Sequence, residues 1–201
     1  TAGYLIAGGY YNLISDKDFS AAQRSTEAWG VTDSITFDRL FDEVVRRSRN
    51  GRPWHGGMLT LSSHSPFEVP YHSEHEDPIV NAMAYTDHCL GRFINRLKGE
   101  RDVWDNLLLV ILPDHGICAE GLQDTDDLFL HAPLVWTGGA VSGHREVDVI
   151  MSQSDVAATL LGEVGIDHSD FAYSHDVLAD DYRAPMAYSN TCELVFLRDT
   201  T

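Results

Sequence analysis

Apolar residues fall along this chain in short runs, separated by stretches with helical spacing. The longest run, Leu107-Leu108-Leu109-Val110-Ile111-Leu112, is bulky or branched throughout. Such a run predicts a central strand buried on both faces. Pro113 ends it, because proline has no backbone N–H for a ladder. Met58-Leu59-Thr60-Leu61 predicts a second short buried strand and Leu134-Val135-Trp136 a third, stopped by Gly138-Gly139. Leu194-Val195-Phe196-Leu197 is a candidate fourth.

Between these runs the apolar spacing turns helical. Phe37, Leu40, Phe41 and Val44 follow the capping residues Thr32-Asp33-Ser34 at i, i+3, i+4 and i+7, an amphipathic stripe. Asn50-Gly51-Arg52-Pro53 ends that helix. Pro78 suits the first turn of a long helix with Ile79, Met83, Leu90, Phe93, Ile94 and Leu97 on one face, closed by Lys98-Gly99. Ser152 or Ser154 caps a helix through Asp155, Val156, Ala158, Leu160 and Leu161, which ends at Gly165. Strands alternating with helices predict an α/β layered sheet. No linker marks a second domain within residues 1–201.

Charge narrows the range of partners. The chain carries 31 acidic and 14 basic residues, a net charge of -17. So acidic a surface argues against nucleic acid. It leaves an anionic substrate open, since a metal and a few histidines make a local positive site on a negative body. The cysteines Cys89, Cys118 and Cys192 are odd in number and widely spaced, which predicts buried free thiols rather than a disulfide framework. No run is long or apolar enough for a bilayer span, and no signal peptide opens the chain. The opening Thr1-Ala2-Gly3-Tyr4 lacks a Met, as expected of an excised or processed piece.

The candidate chemistry lies where strands end. Asp114-His115-Gly116 follows the buried run, and ligands of α/β sheets collect outside the carboxyl ends of strands. A carboxylate and a neutral imidazole are suitable ligands for a divalent cation. His64 also follows a strand, in Leu61-Ser62-Ser63-His64-Ser65-Pro66-Phe67. It is read either as a loop residue anchored by its own turn or as a donor to a substrate oxyanion. Parallel neighbouring strands would bring both loops to one edge of the sheet. His131 stands ahead of a strand, normally the opposite edge, but residues 117–130 could fold back; structural and substrate-facing roles stay equally open for it. The remaining histidines show no metal-ligand spacing, and Asp124, Asp126 and Asp127 read as a solvated loop. HExxH, P-loop, Rossmann and Gly-x-Ser-x-Gly patterns are absent. Asp and His alone under-coordinate a metal, since three or four ligands are typical. No residue stands out as an activated nucleophile.

Taken in order, several stretches resemble one family. They are Trp29-Gly30-Val31-Thr32-Asp33, Leu59 to Phe67, Tyr85-Thr86-Asp87-His88-Cys89-Leu90-Gly91-Arg92-Phe93-Ile94, Trp104-Asp105-Asn106 with the strand to Gly116, Ala132-Pro133-Leu134-Val135-Trp136, and Gln153-Ser154-Asp155-Val156-Ala157-Ala158-Thr159-Leu160-Leu161 with Gly165-Ile166-Asp167. The chain resembles the C-terminal half of the sulfatase-like catalytic domain of lipoteichoic acid synthase and related phosphoglycerol or phosphoethanolamine transferases, in the alkaline phosphatase superfamily. The resemblance implies an α/β/α sandwich with a mainly parallel central sheet, present here as a partial domain. It implies that Asp114 and His115 are metal ligands for one divalent ion, manganese first and magnesium or zinc as alternatives. It further implies that His64 contacts a phosphate- or sulfate-ester substrate; His131 is a second substrate-binding candidate from its own place in the chain, not from the resemblance. The threonine nucleophile and a further acidic ligand of the family would lie in a preceding half. The implied activity is head-group transfer or hydrolysis at the outer face of the cytoplasmic membrane, with a membrane anchor also in that preceding part. Alternatives are a sulfatase proper, or a non-catalytic module binding an anionic glycan or lipid head group.

Overall fold

The computed structural model describes residues 2–24, 30–116, 131–183, 186–189 and 194–197. The chain divides into two compact units, Thr1–Leu109 with Trp136–Val141 and Val110–Val135 with Ser142–Thr201.

The first unit is built on helices. After an exposed opening helix α1 (Ala2–Ala7), α2 spans Asp33–Ser48 and α3 spans Pro78–Gly99, followed by the single turn α4, Arg101–Trp104. Asp77 starts α3 by accepting the N–H groups of Ile79 and Val80 at 2.8 and 3.3 Å, and Pro78 takes the first position, where no intrahelical donor is needed. Phe37 and Val44 of α2 join Tyr85, Cys89, Phe93 and Leu97 of α3 in one apolar cluster that also takes in Val103 and Leu107. Full burial of a leucine such as Leu97 contributes about 1.5–3 kcal/mol.

The buried face of α3 is rotated from the expected one. Ala82, Tyr85, Cys89, Phe93 and Leu97 are buried, whereas Met83 is 39% exposed. Leu90 and Ile94 pack on the edge of the cluster. Apolar bulk alone pointed to the longer side chains; small Ala82 and Cys89 occupy the covered face instead. Burial also pushes the Cys89 thiol above its ordinary range, so it is an inert core group. Cys118 and Cys192 lie outside the described residues.

Two strand expectations need correction. Residues 58–61 form no strand, and Leu59 is 76% exposed. The backbone at Leu61 is held by a side chain rather than by a ladder. β1 is confined to Leu109–Ile111 and is only half buried. It pairs with β2, Val135–Thr137, in a two-stranded sheet. With one partner strand among the described residues, β1 is not enclosed as a central strand would be. β3 (Met186–Ser189) and β4 (Leu194–Leu197) form a separate antiparallel pair, with Met186 opposite Leu197. A mainly parallel central sheet is not among the described residues.

After β2 the chain turns at Gly138 (φ +124°) against the segment that precedes β1. Gly139 N–H and Ala140 N–H donate to the carbonyls of Trp104 and Leu107 at 3.0 and 3.2 Å. In the second unit α5, Asp155–Glu163, is closed by Gly165 (φ +70°) and by Ile166 N–H donating to Leu161 at 2.8 Å. That is a helix end relying on a left-handed glycine.

Candidate active site

His64 sits on a loop fixed from below by a buried carboxylate. Asp33, the first residue of α2, is fully buried. Its Oδ1 accepts Leu61 N–H at 2.8 Å and Ser62 N–H at 3.2 Å, and its Oδ2 accepts the Thr86 hydroxyl at 2.7 Å. Ser62 Oγ in turn accepts Asp33 N–H at 3.0 Å. The chain then makes two successive turns, His64 N–H to Leu61 O and Phe67 N–H to His64 O, each at 3.0 Å. Phe67 closes them in the left-handed region (φ +62°). The exposed imidazole lies with Nδ1 2.9 Å from Ser65 O. A carbonyl oxygen only accepts, so Nδ1 carries the proton. His64 then donates through Nε2 only as an imidazolium.

The second unit carries Asp114, His115 and His131. Asp114 and His115 stand beyond the end of β1, with side chains 79% and 76% exposed. Asp114 Oδ1 accepts the His115 N–H at 3.0 Å. His115 Nδ1 lies 2.6 Å from Gly116 O; it must donate there, which leaves the lone pair of the neutral ring on Nε2. That Nε2 lies 3.7 Å from Asp114 Oδ2, beyond hydrogen-bond length. The two are therefore electron-pair donors brought close without a bond between them. Their separation is less than twice the ordinary metal–ligand length of about 2.0–2.2 Å, so both can reach one ion. Among the described residues, no group of three or more His, Cys, Asp or Glu is gathered to hold a metal.

Two residues without a predicted chemical role support this corner. Gln153 Nε2 donates to Pro113 O at 2.7 Å and to Asp114 O at 3.2 Å. Asp155, 1% exposed, accepts Ser152 N–H at 3.1 Å and the Tyr182 hydroxyl at 2.8 Å on Oδ2, and His175 N–H at 2.9 Å on Oδ1. The Tyr182 phenol is driven well above its ordinary value by burial first and then by its bond to Asp155. Local sequence signals favour helix capping for Asp33 and the serines before Asp155. In the structure, neither Thr32 nor Ser154 makes a side-chain cap; Asp33 holds the distant backbone at Leu61 and Ser62, and Asp155 holds both the nearby Ser152 and the distant His175.

Thus Asp114 and His115 are brought side by side, and His64 belongs to the first unit. His131 is exposed, ahead of β2. Residues 117–130, expected to bear on its placement, lie outside the described residues, as do Asp124, Asp126 and Asp127. Among the described residues no helix is long and apolar enough to cross a membrane.

A family model described as Sulfatase matches residues 3–166. Phosphoglycerol transferase I of Xanthomonas campestris pv. campestris is 24% identical over 198 residues, covering 89% of this chain and 27% of that protein. Lipoteichoic acid synthase-like YvgJ of Bacillus subtilis is 23% identical over 198 residues, covering 85% of this chain and 31% of that protein. The chain therefore spans about a quarter to a third of the length of these relatives. A crystal structure of an alkaline phosphatase superfamily protein from Vibrio parahaemolyticus superposes with a TM-score of 0.76 at 25% identity, over 94% of this chain and 50% of that one.

Proposed function

The chain belongs to the sulfatase family, with the α/β fold of the alkaline phosphatase superfamily, and from that premise we propose that it is part of a metal-dependent enzyme acting on phosphate or sulfate esters. Within that class we favour transfer of a phosphoglycerol-type head group, by analogy with the named transferase. The observation that carries the reading is the 3.7 Å approach of Asp114 Oδ2 to a His115 Nε2 whose other nitrogen is committed to Gly116.

Asp114 and His115 would hold a divalent ion, manganese by preference. When bound, such an ion supplies a Lewis acid that polarises an ester oxygen and lowers the pKa of an attacking hydroxyl. His64 is assigned to the ester's peripheral oxygens, where an imidazolium donor offsets developing negative charge. His131 is assigned to the same substrate. No residue of this chain is assigned as the nucleophile; in this reading a preceding segment supplies it, together with further metal ligands and a membrane anchor at the cell envelope.

Titration with Mn2+ tests the reading. The expected result is one weak site, lost in Asp114→Ala and in His115→Ala. Equal affinity in all three proteins would refute the metal assignment. Turnover of a generic phosphodiester by this chain is not expected; robust turnover would place a nucleophile within it.

A further inference from the structure

We propose that Gln153 is a positioning residue for the Asp114–His115 corner, holding its backbone so that carboxylate and imidazole meet one divalent cation together. The inference rests on the metal reading of that pair. A side-chain amide carries two donor protons, and Gln153 places its nitrogen within reach of two consecutive carbonyls, Pro113 O at 2.7 Å and Asp114 O at 3.2 Å. Both carbonyls lie past the end of β1, where the strand ladder no longer holds the chain.

Gln153 is itself held on both sides. Asp155 N–H donates to Ser152 O at 2.9 Å, and Ser152 N–H donates to the buried Asp155 carboxylate at 3.1 Å. That carboxylate is fixed in turn by Tyr182 and by the backbone of His175. Past Gln153 the ties continue to the ligand atoms. His115 N–H bonds Asp114 Oδ1 at 3.0 Å, and His115 Nδ1 bonds Gly116 O at 2.6 Å. Both ligand side chains are therefore referenced to the short stretch of backbone that Gln153 grips. The Gln153 side chain is exposed, so its contribution falls on local geometry rather than on global folding.

Gln153→Met keeps the length of the side chain and removes both donors. Three readouts separate the possibilities: amide hydrogen exchange at His115 and Gly116 in the metal-free chain, Mn2+ affinity, and the thermal midpoint. We expect faster exchange confined to those amides, about a tenfold loss of Mn2+ affinity, the lower end of what supporting partners contribute, and an unchanged midpoint. Unchanged exchange and affinity would overturn the proposal. A lowered midpoint with faster exchange throughout the unit would do so too, by showing a merely structural role. If the unsubstituted chain bound no Mn2+, the metal reading would fall, while exchange at His115 would still decide whether Gln153 holds the corner.

Discussion

The buried carboxylate of Asp33 accepts the backbone N–H of Leu61 at 2.8 Å across 28 residues of sequence. This bond takes the place of a strand ladder at residues 58–61 and sets the start of the turn that carries His64. A carboxylate out of water is tolerated only when its oxygens are bonded. Asp33 meets that condition with Leu61, Ser62 and Thr86.

Asp33→Ala leaves those backbone donors without their acceptor. A loss of about 2–4 kcal/mol in unfolding free energy is expected, from hydrogen bonds to a charged group and the cost of stranded donors. Asp33→Asn keeps one acceptor oxygen and should lose less. Urea denaturation of both variants checks the order.

Gly138 is set where no other residue fits. A Cβ built there would lie 2.0 Å from Leu107 O, and the backbone is left-handed at φ +124°. Gly138→Ala must therefore shift the backbone of the segment leading into β1, at a cost of at least about 3 kcal/mol. Gly143→Ala, also left-handed but with nothing within 4 Å, serves as the comparison for conformational strain without a clash, and its measured loss should be the smaller.

Tyr182 gives the fold an alkaline limit. Its ordinary value is 10.0, and burial, with the bond to Asp155, raises the folded value above that. The phenol therefore stabilises fully below its ordinary value, and this contribution is lost as pH climbs through the raised one. Tyr182→Phe should cost about 1.5–3 kcal/mol at neutral pH, for one hydrogen bond to a charged group. The gap between the two proteins should narrow above pH 10.0. A gap constant with pH would show that the Tyr182–Asp155 bond does not form in solution.

Periodicity located α2, α3 and α5 because covering one face of a helix leaves a local mark in the sequence. Proline at 78 and glycine at 165 marked their ends for equally local reasons. Which face of α3 is covered was less legible, since Ala82 and Cys89 are buried for fit rather than bulk. Asp114 and His115 were visible as neighbours in sequence. The supports were not: Asp33 to Leu61, Asp155 to His175 and Gln153 to Pro113 are bonds across long separations. No local pattern records such a partner, and an Asp near a helix start reads first as a cap. The apolar run at Leu107–Leu112 misled in the opposite direction. Its composition suits a strand covered on both faces, but β1 has one neighbour among the described residues.

In the function proposed above, Asp114 and His115 grip one divalent ion. A chain with net charge -17 will attract cations diffusely, so affinity alone is a blunt test. Paramagnetic broadening by substoichiometric Mn2+ in the amide spectrum reports position as well as binding. The amide resonances of position 115 and Gly116 should broaden first in the unsubstituted chain, and the amides at the same two positions should stay sharp in Asp114→Ala and His115→Ala. Broadening scattered over the acidic surface, and alike in all three proteins, would contradict the account.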